Sequence, residues 1–248
     1  MWIKNLLIGL LVLIGITLAG ALIMLGIGNS GVEPRELTDS DMMLDWMSRL
    51  DDETSLNEVF IPGTHDSGAL HSFLGVSGKC QSYTIGEQLQ MGVRFFDIRL
   101  QLRGSKLAVV HSFVDQKLTF DEVLDEIKVF LTQNPSEFII ISIKEDADAQ
   151  EPELPFEKAV EDTLSEHLGS LLSTDKNVPP SVGEARGKAH IVSRYGGASI
   201  GVPAHSCWAD STSFELGELF VQDYYAIDTV EAKMHDINSA FSVAEKKN

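Results

Sequence analysis

Short apolar runs alternate along this chain with longer stretches in which apolar residues recur every three or four positions. Short runs bounded by glycine and polar residues are typical of buried strands, and the longer pattern is typical of amphipathic helices. The strand candidates are residues 59–61, 93–98, 107–110, 138–143, 190–193 and 219–221. The helix candidates are residues 42–50, 85–91, 120–131, 156–168 and 230–241. Repetition of a strand followed by a helix predicts an α/β fold with a parallel sheet or barrel.

The N-terminal segment departs from this pattern. Residues 5–27 carry no charged side chain, and at about 1.5 Å per residue they are long enough to cross about 30 Å of hydrocarbon. We therefore predict a transmembrane anchor at residues 1–28, a linker with a short helix at 29–54 and one folded domain at 55–248. Lys4 and Arg35 nearly balance each other across the span, and we favour a membrane-anchored protein whose domain is extracytoplasmic. A cleaved signal peptide, which would leave the protein secreted, is the alternative.

The composition of the whole chain, 248 residues of which 44% are hydrophobic, is that of a globular protein with one sizeable core. It has 37 acidic and 19 basic residues and a formal net charge of -18. A surface with this charge repels nucleic acid and anionic bilayers, which argues against nucleic-acid binding. Cys80 and Cys207 are too few for a disulfide framework. They could pair outside the cytosol, or they are two separate buried thiols.

Polar and charged side chains stand at or soon after the ends of these strand candidates. They are His65, Asp97, Arg99, His111, Lys144, Arg194 and Asp223. In barrels the chemistry collects at the C-terminal ends of the strands, so a common site is expected there. Histidines near neutral pH can take and give a proton, and an arginine between them can hold a phosphodiester. Asp97 and Arg99 alternate on a strand and point the same way, although an ordinary salt bridge would also explain them.

Three motifs carry a family resemblance: Ile61-Pro-Gly-Thr-His-Asp-Ser-Gly68, Gly92-Val-Arg-Phe-Phe-Asp-Ile-Arg99 and Val110-His111. Weaker support comes from Asn134-Pro-Ser-Glu137, Ala185-Arg-Gly-Lys188 and Val221-Gln-Asp-Tyr-Tyr225. Over residues 56–241 the chain resembles the bacterial phosphatidylinositol-specific phospholipases C, with the X-domain of eukaryotic phospholipases C as distant relatives. The resemblance implies a distorted TIM-type barrel that cleaves phosphatidylinositol into diacylglycerol and a cyclic inositol phosphate.

The resemblance also implies roles for individual residues. His65 would be the general base that takes the proton of the inositol 2-hydroxyl, and His111 would be the general acid for the departing diacylglycerol oxygen. Arg99 would stabilise charge on the phosphate, with Asp66 and Asp97 orienting the charged groups. Inositol binding is assigned to four further residues: Lys144, Arg194, Asp223 and Tyr225. The expected partners are phosphatidylinositol or a glycosylated inositol phospholipid and the membrane that contains it, and the oligomeric state is left open.

Metal dependence can be judged from the same comparison. In calcium-dependent relatives an asparagine follows the first histidine and a carboxylate occupies the place of the arginine, whereas this chain has Asp66 and Arg99. A fixed guanidinium there would replace the cation, so we expect no metal and no other cofactor.

One departure from the family concerns the C-terminal part. The family's barrel continues past the segment that matches residues 230–241, and one later strand carries an aspartate that hydrogen-bonds the general base. This chain ends at Asn248, so we expect an apparently truncated barrel. An inositol-phospholipid-binding protein with weak or no catalysis is therefore an alternative. A metal-dependent phosphodiesterase with His65, Asp66, Asp97 and His111 as ligands is a third reading, against which Arg99 argues.

Overall fold

The computed structural model describes residues 34–73, 78–217, 219–226 and 229–245, the last four of them by their backbone only. The strands are β1 Gly63–Thr64, β2 Phe95–Arg103, β3 Lys106–His111, β4 Val114–Thr119, β5 Ile139–Glu145, β6 Ala189–Ser193, β7 Val202–Pro203, β8 Ser213–Leu216 and β9 Leu219–Gln222. The α-helices are α1 Ile85–Gln90, α2 Phe120–Gln133, α3 Phe156–Leu168, α4 Val182–Ala185 and α5 Val230–Glu245. Short 3-10 turns occupy Asp39–Asp41, Trp46–Arg49, Leu56–Glu58 and Gly169–Leu171.

One mixed sheet organises the fold. Its strand order is β4-β3-β2-β5-β6-β7, and β1 pairs with β2 off this path. The pairs of β1 with β2, β2 with β5, β5 with β6 and β6 with β7 are parallel, whereas β3 and β4 form an antiparallel meander on β2. The α/β fold with parallel strands is therefore confirmed. Within the described residues the sheet runs from β4 to β7 without closing, so the predicted TIM-type barrel is not seen as a closed barrel.

Strand β2 shows how the sequence separates core from site. Phe96, Ile98 and Leu100 are fully buried in the main hydrophobic core. Asp97 and Arg99 alternate with them and are also buried. Because successive side chains of a strand point to opposite faces, one face of β2 packs against helices and the other presents charge.

Helices α2 and α3 supply that core, since Val123 and Leu124 of α2 and Val160 and Leu164 of α3 are fully buried. Helix α2 starts at a capping box in which the Thr119 hydroxyl accepts the Glu122 amide and the Glu122 carboxylate accepts the Thr119 amide. The predicted helix at 156–168 agrees with α3 at both ends.

Hydrogen bonds from two buried side chains, Arg94 and Glu137, explain why residues 42–50 form no α-helix. Arg94 donates from Nη2 to the carbonyls of Met43 and Leu44, and its Nε lies 2.8 Å from Glu137 Oε2. The amide of Met47, which an α-helix would bond to Met43, donates instead to Glu137 Oε1. The predicted helix is therefore wrong as an α-helix, and only Trp46–Arg49 is helical, as a 3-10 turn.

One strand prediction is wrong, and the structure adds detail to the others. No strand covers 59–61, because ladder pairing begins at the Pro62 carbonyl, which accepts the amides of Arg94 and Phe95. Strand β4 was missed because charged positions interrupt its apolar ones. The run at 219–221 lies in β9, which pairs antiparallel with β8 away from the main sheet.

The predicted membrane anchor, residues 1–28, lies outside the described residues. Across the ranges that are described, no helix has both the length and the apolar character needed to cross a bilayer. On this finding the predicted membrane-anchored localisation is corrected.

Candidate active site

The parallel pairing of β1 with β2 positions the first histidine. Gly63 is in register with Phe95 and Thr64 with Phe96, so the residues that follow β1 meet Asp97. The Asp66 amide donates to Asp97 Oδ2 over 3.0 Å, and the Ser67 amide donates to the Asp97 carbonyl. Asp66 has a φ of 47°, a left-handed conformation that is uncommon for a residue with a side chain. The turn after β1 is therefore held on β2 with His65 at its start.

Arg99 lies at the centre of the charged face. Its Nε is 2.9 Å from Asp66 Oδ1 and 3.1 Å from Asp97 Oδ2, and its Nη1 is 3.5 Å from Asp146 Oδ1. The Asp66 contact is an ion pair without an aligned hydrogen bond, because Oδ1 has no hydrogen-bond partner among the described residues. Burial lowers the pKa of Arg99, but the charges of Asp97 and Asp66 outweigh it and raise the pKa overall. The predicted same-side placement of Asp97 and Arg99 is confirmed.

His65 is surrounded by carboxylates and one guanidinium. Its Nδ1 lies 3.3 Å from Asp223 Oδ1 and 3.6 Å from Asp97 Oδ2. Its Nε2 lies 3.1 Å from Asp66 Oδ2 and 3.1 Å from Arg99 Nη2. Burial lowers the pKa of the imidazole, but hydrogen bonds to Asp223 and Asp66 outweigh it and raise the pKa to about 9.

His111 faces the same carboxylate from the end of β3. Its Nε2 is 3.6 Å from Asp66 Oδ2, and its Nδ1 is 3.9 Å from Cys80 Sγ. One oxygen of Asp66 is thus in contact with the imidazoles of both His65 and His111. Cys80 and Cys207 are free thiols and both are exposed, so neither the predicted pairing nor the predicted burial is found.

Two of the four residues expected to bind inositol are held by aspartates. Lys144 stands beside Arg99 in the register of β2 with β5, and its Nζ is 2.6 Å from Asp146 Oδ1. Arg194 donates to Asp97 Oδ1 over 2.8 Å. Burial lowers the pKa of Arg194 despite the charge of Asp97. Both cations therefore line the charged face and have their carboxylate partners already in place.

The other two contact His65 itself. Asp223 accepts from Trp208 Nε1 over 3.0 Å with its second oxygen, while its first faces His65. Burial raises the pKa of Asp223, but hydrogen bonds from His65 and Trp208 hold it below its usual value. The ring of Tyr225 stacks on the imidazole with centroids 3.8 Å apart, and its hydroxyl donates to Asp210.

Residues important to this geometry were missed in the sequence. Asp146 binds Lys144 and accepts the Ser112 amide, yet it stands in an acidic run that resembles a solvated loop. Trp208 fixes Asp223, and its ring lies 4.1 Å from the guanidinium carbon of Arg194. The position of Asp146, two residues after Lys144 and therefore on the same side of an extended chain, was the sequence signal that could have pointed to it.

The arrangement favours acid and base chemistry on an anion over metal chemistry. Donor atoms of His65, Asp66 and Asp97 lie close enough together to hold an ion. The Arg99 guanidinium, however, already contacts both carboxylates at 2.9 and 3.1 Å and would repel a cation among them. Two imidazoles beside a buried guanidinium can instead move protons to and from an anionic group that the guanidinium binds.

Comparison with known proteins places this geometry in context. Residues 53–195 match the family described as phosphatidylinositol-specific phospholipase C, X domain. A 1-phosphatidylinositol phosphodiesterase of Staphylococcus aureus strain Newman is 32% identical over 221 residues, which cover 81% of this chain and 70% of that relative.

Solved structures are also similar. A structure of the Staphylococcus aureus phosphatidylinositol-specific phospholipase C, from work on the modulation of its membrane binding, has a TM-score of 0.69 and 31% identity, covering 81% of this chain and 72% of that chain. The phosphatidylinositol-specific phospholipase C from Listeria monocytogenes has a TM-score of 0.58 over 83% of this chain and 75% of that chain. At 22% identity this second likeness concerns the fold alone.

Proposed function

This chain belongs to the phosphatidylinositol-specific phospholipase C family, X domain, and from that premise we propose that it cleaves the phosphodiester of phosphatidylinositol. The observation that carries the proposal is the contact of His65 and His111 with one oxygen of Asp66. The Arg99 guanidinium lies against the other oxygen. Two proton-transfer groups beside a phosphate-binding cation are what cleavage of a phosphodiester by internal attack requires.

In the proposed reaction the inositol 2-hydroxyl attacks phosphorus while His65 takes the hydroxyl proton. The bond between phosphorus and the diacylglycerol oxygen breaks, and His111 donates a proton to that oxygen. The products are diacylglycerol and inositol 1,2-cyclic phosphate, and the two histidines have exchanged protonation states. Arg99 stabilises the negative charge that builds on the phosphate oxygens.

Asp223 supports the role of His65 as base. Because the carboxylate faces Nδ1 at 3.3 Å, it favours the tautomer with hydrogen on that nitrogen. Nε2, which Asp66 Oδ2 and Arg99 Nη2 each approach to 3.1 Å, is then the nitrogen that takes the substrate proton. Stacking of Tyr225 restricts rotation of the imidazole. With a pKa of about 9, His65 is mostly protonated at neutral pH, so the supply of neutral base grows as pH rises.

The same contact bears on the alternative of a binding protein without turnover. From the sequence, the aspartate that orients the general base in the family was expected to be missing together with the later strands. Asp223 lies 3.3 Å from His65 Nδ1 and can orient the imidazole instead. Lys144 and Arg194 remain available to bind inositol hydroxyls, since each has donor hydrogens beyond its contact with an aspartate. A catalytic protein is therefore the reading that the described contacts favour.

The reaction needs no metal in this proposal. Calcium would have to bind the carboxylates of Asp66 and Asp97, and the positive charge of Arg99 already contacts both of them. Activity should therefore persist in excess chelator.

Two exposed aromatic side chains support contact with a lipid surface. Phe113, two residues after His111, is 71% exposed and packs edge-to-face on Phe73, which is 50% exposed. The Ser112 amide donates to Asp146 and fixes the start of this loop at the site. With a net charge of -18, attraction to anionic headgroups is weak, so apolar insertion is the better source of affinity.

Release of diacylglycerol from phosphatidylinositol in detergent micelles tests the function. The full chain is assayed in excess chelator beside His65→Ala and His235→Ala, the latter a matched control whose imidazole is 81% exposed on α5. We expect turnover by the wild type and by the control, and a loss of at least about 100-fold in His65→Ala. Equal activity of all three proteins would refute the proposed site.

A further inference from the structure

Cys80 lies beside the site but has no task in the proposed reaction. Its Sγ is 3.9 Å from Asp66 Oδ2 and 3.9 Å from His111 Nδ1. Its position is fixed, because the amides of Cys80 and Gln81 both donate to the Ala69 carbonyl. Cys80 is exposed as a residue, but its Sγ faces Asp66 and His111. Partial desolvation of the sulfur there, together with the charge of Asp66, raises the pKa of the thiol to about 12, so it is no nucleophile at neutral pH.

The three side chains together have the chemistry of a zinc site. A thiolate, an imidazole nitrogen and a carboxylate oxygen are the ligands that zinc takes in proteins, and these donor atoms all lie within 4.8 Å of one another. Bond lengths of about 2.3 Å to sulfur and about 2.0 Å to nitrogen place two such ligands of a tetrahedral ion about 3.6 Å apart. The observed 3.9 Å between Cys80 Sγ and His111 Nδ1 needs only a small adjustment.

The Arg99 guanidinium repels a cation placed between Asp66 and Asp97, but it leaves room for one between Asp66, Cys80 and His111. It contacts Asp66 through Oδ1, whereas Cys80 and His111 face Oδ2. Cys80 contributes a ligand that becomes negative when it binds metal and so offsets the nearby guanidinium. His65 Nε2, at 3.1 Å from the same Oδ2, is the group that a metal ion would displace.

We propose that Asp66, Cys80 and His111 form an inhibitory site for zinc, with the fourth position open to water. Zinc binds His111 through Nδ1, the nitrogen that faces Cys80, so this ring can no longer carry protons on both nitrogens as a general acid must. Zinc also takes Asp66 Oδ2 from His65, which removes one of the contacts that hold the base. The inhibition rests on the proposed function, whereas the binding does not.

Binding is measured on the full chain by titration calorimetry with zinc chloride, and by absorption after addition of cobalt chloride. Cobalt bound to a thiolate gives a charge-transfer band in the near ultraviolet. The variants are Cys80→Ser and the matched control Cys207→Ser, whose Sγ donates to the Pro203 carbonyl. We expect the cobalt band in wild type and in Cys207→Ser but not in Cys80→Ser, with zinc affinity lower by about 10-fold or more in the last.

Activity on phosphatidylinositol is then followed as zinc is added. Wild type and Cys207→Ser should be inhibited with the midpoint found by calorimetry, whereas Cys80→Ser should keep its basal rate at that concentration. Absence of the cobalt band in wild type, or equal zinc affinity of Cys80→Ser and wild type, would overturn the site. Zinc binding that depends on Cys80 without any inhibition would overturn the regulatory part. If neither the wild type nor any variant turned over substrate, the proposed function would be refuted. Calorimetry and cobalt absorption would still show whether the metal site exists.

Discussion

Replacing Asp223 with asparagine should change the pH dependence of catalysis more than its rate at neutral pH. The substitution keeps the size of the side chain and its hydrogen bond from Trp208 but removes the negative charge 3.3 Å from His65 Nδ1. A hydrogen bond between charged groups contributes about 1.5–3 kcal/mol, and about 1.36 kcal/mol corresponds to one pH unit. The pKa of His65, about 9 in the wild type, should therefore fall by about 1–2 pH units in the variant.

The consequence for the rate follows from the fraction of neutral base. At pH 7 a group with a pKa of about 9 is neutral in about 1% of molecules, so the fraction of molecules with His65 ready to act as base rises about tenfold per pH unit up to about pH 9. Wild-type kcat/KM should follow this rise over the pH range in which His111 keeps the proton that it donates. In Asp223→Asn the rise should level off about 1–2 pH units lower, at a maximum about 10- to 100-fold smaller, because the base is weaker and less well oriented. The two effects oppose each other at pH 7 and leave a difference within about tenfold there.

The assay is a pH profile of kcat/KM on a water-soluble inositol phosphodiester, together with an NMR titration of the His65 imidazole in the free protein. Asp210→Asn is the matched control, since Asp210 accepts from Tyr225 and makes no described contact with His65. Its profile should superpose on that of the wild type. Identical profiles and identical His65 titrations in Asp223→Asn and wild type would refute the reasoning.

Three other substitutions test separate parts of the structure. In Arg99→Lys the lysine lacks the planar guanidinium and cannot contact Asp66, Asp97 and His65 at once. We expect kcat to fall by about 10²–10³-fold. A fall of less than tenfold would contradict the role of Arg99 in stabilising the phosphate. Glu137→Gln leaves the fully buried Arg94 without its carboxylate partner and should lower the free energy of unfolding, measured in urea, by about 3–5 kcal/mol. A loss below about 1 kcal/mol would contradict a strong contribution of this ion pair to stability. Phe113→Ala should reduce activity on phosphatidylinositol vesicles several-fold and leave a water-soluble substrate unaffected; equal losses on both would exclude a lipid contact.

Features set by local pattern could be predicted from the sequence. Helix α3 was located at both ends because apolar residues repeat every three or four positions from Phe156 to Leu168. The meeting of His65, Asp97 and Arg99 was predicted because all three were placed at or soon after the ends of strand candidates, and it occurs although Asp97 and Arg99 lie within β2. In both cases the physical cause acts within a few residues or between adjacent strands.

Features set by long-range contacts could not be predicted. The 3-10 turn at Trp46–Arg49 depends on Arg94 and Glu137, which lie far along the chain and take the hydrogen bonds an α-helix would use. The approach of Asp223 to His65 depends on where the β8–β9 hairpin packs, and no local periodicity encodes that position. Cys80 reaches Asp66 for a similar reason, through a loop anchored at Ala69.

Phosphorus NMR of the first product tests the central claim most directly. Phosphatidylinositol in detergent micelles is incubated with the full chain in excess chelator, and spectra are recorded from the earliest conversion. Internal attack by the 2-hydroxyl, with His65 as base and His111 as acid, predicts that the first new signal is that of the cyclic phosphodiester and that it is missing with His65→Ala. A phosphomonoester as the first product, or a cyclic signal of equal size with His65→Ala, would contradict this mechanism.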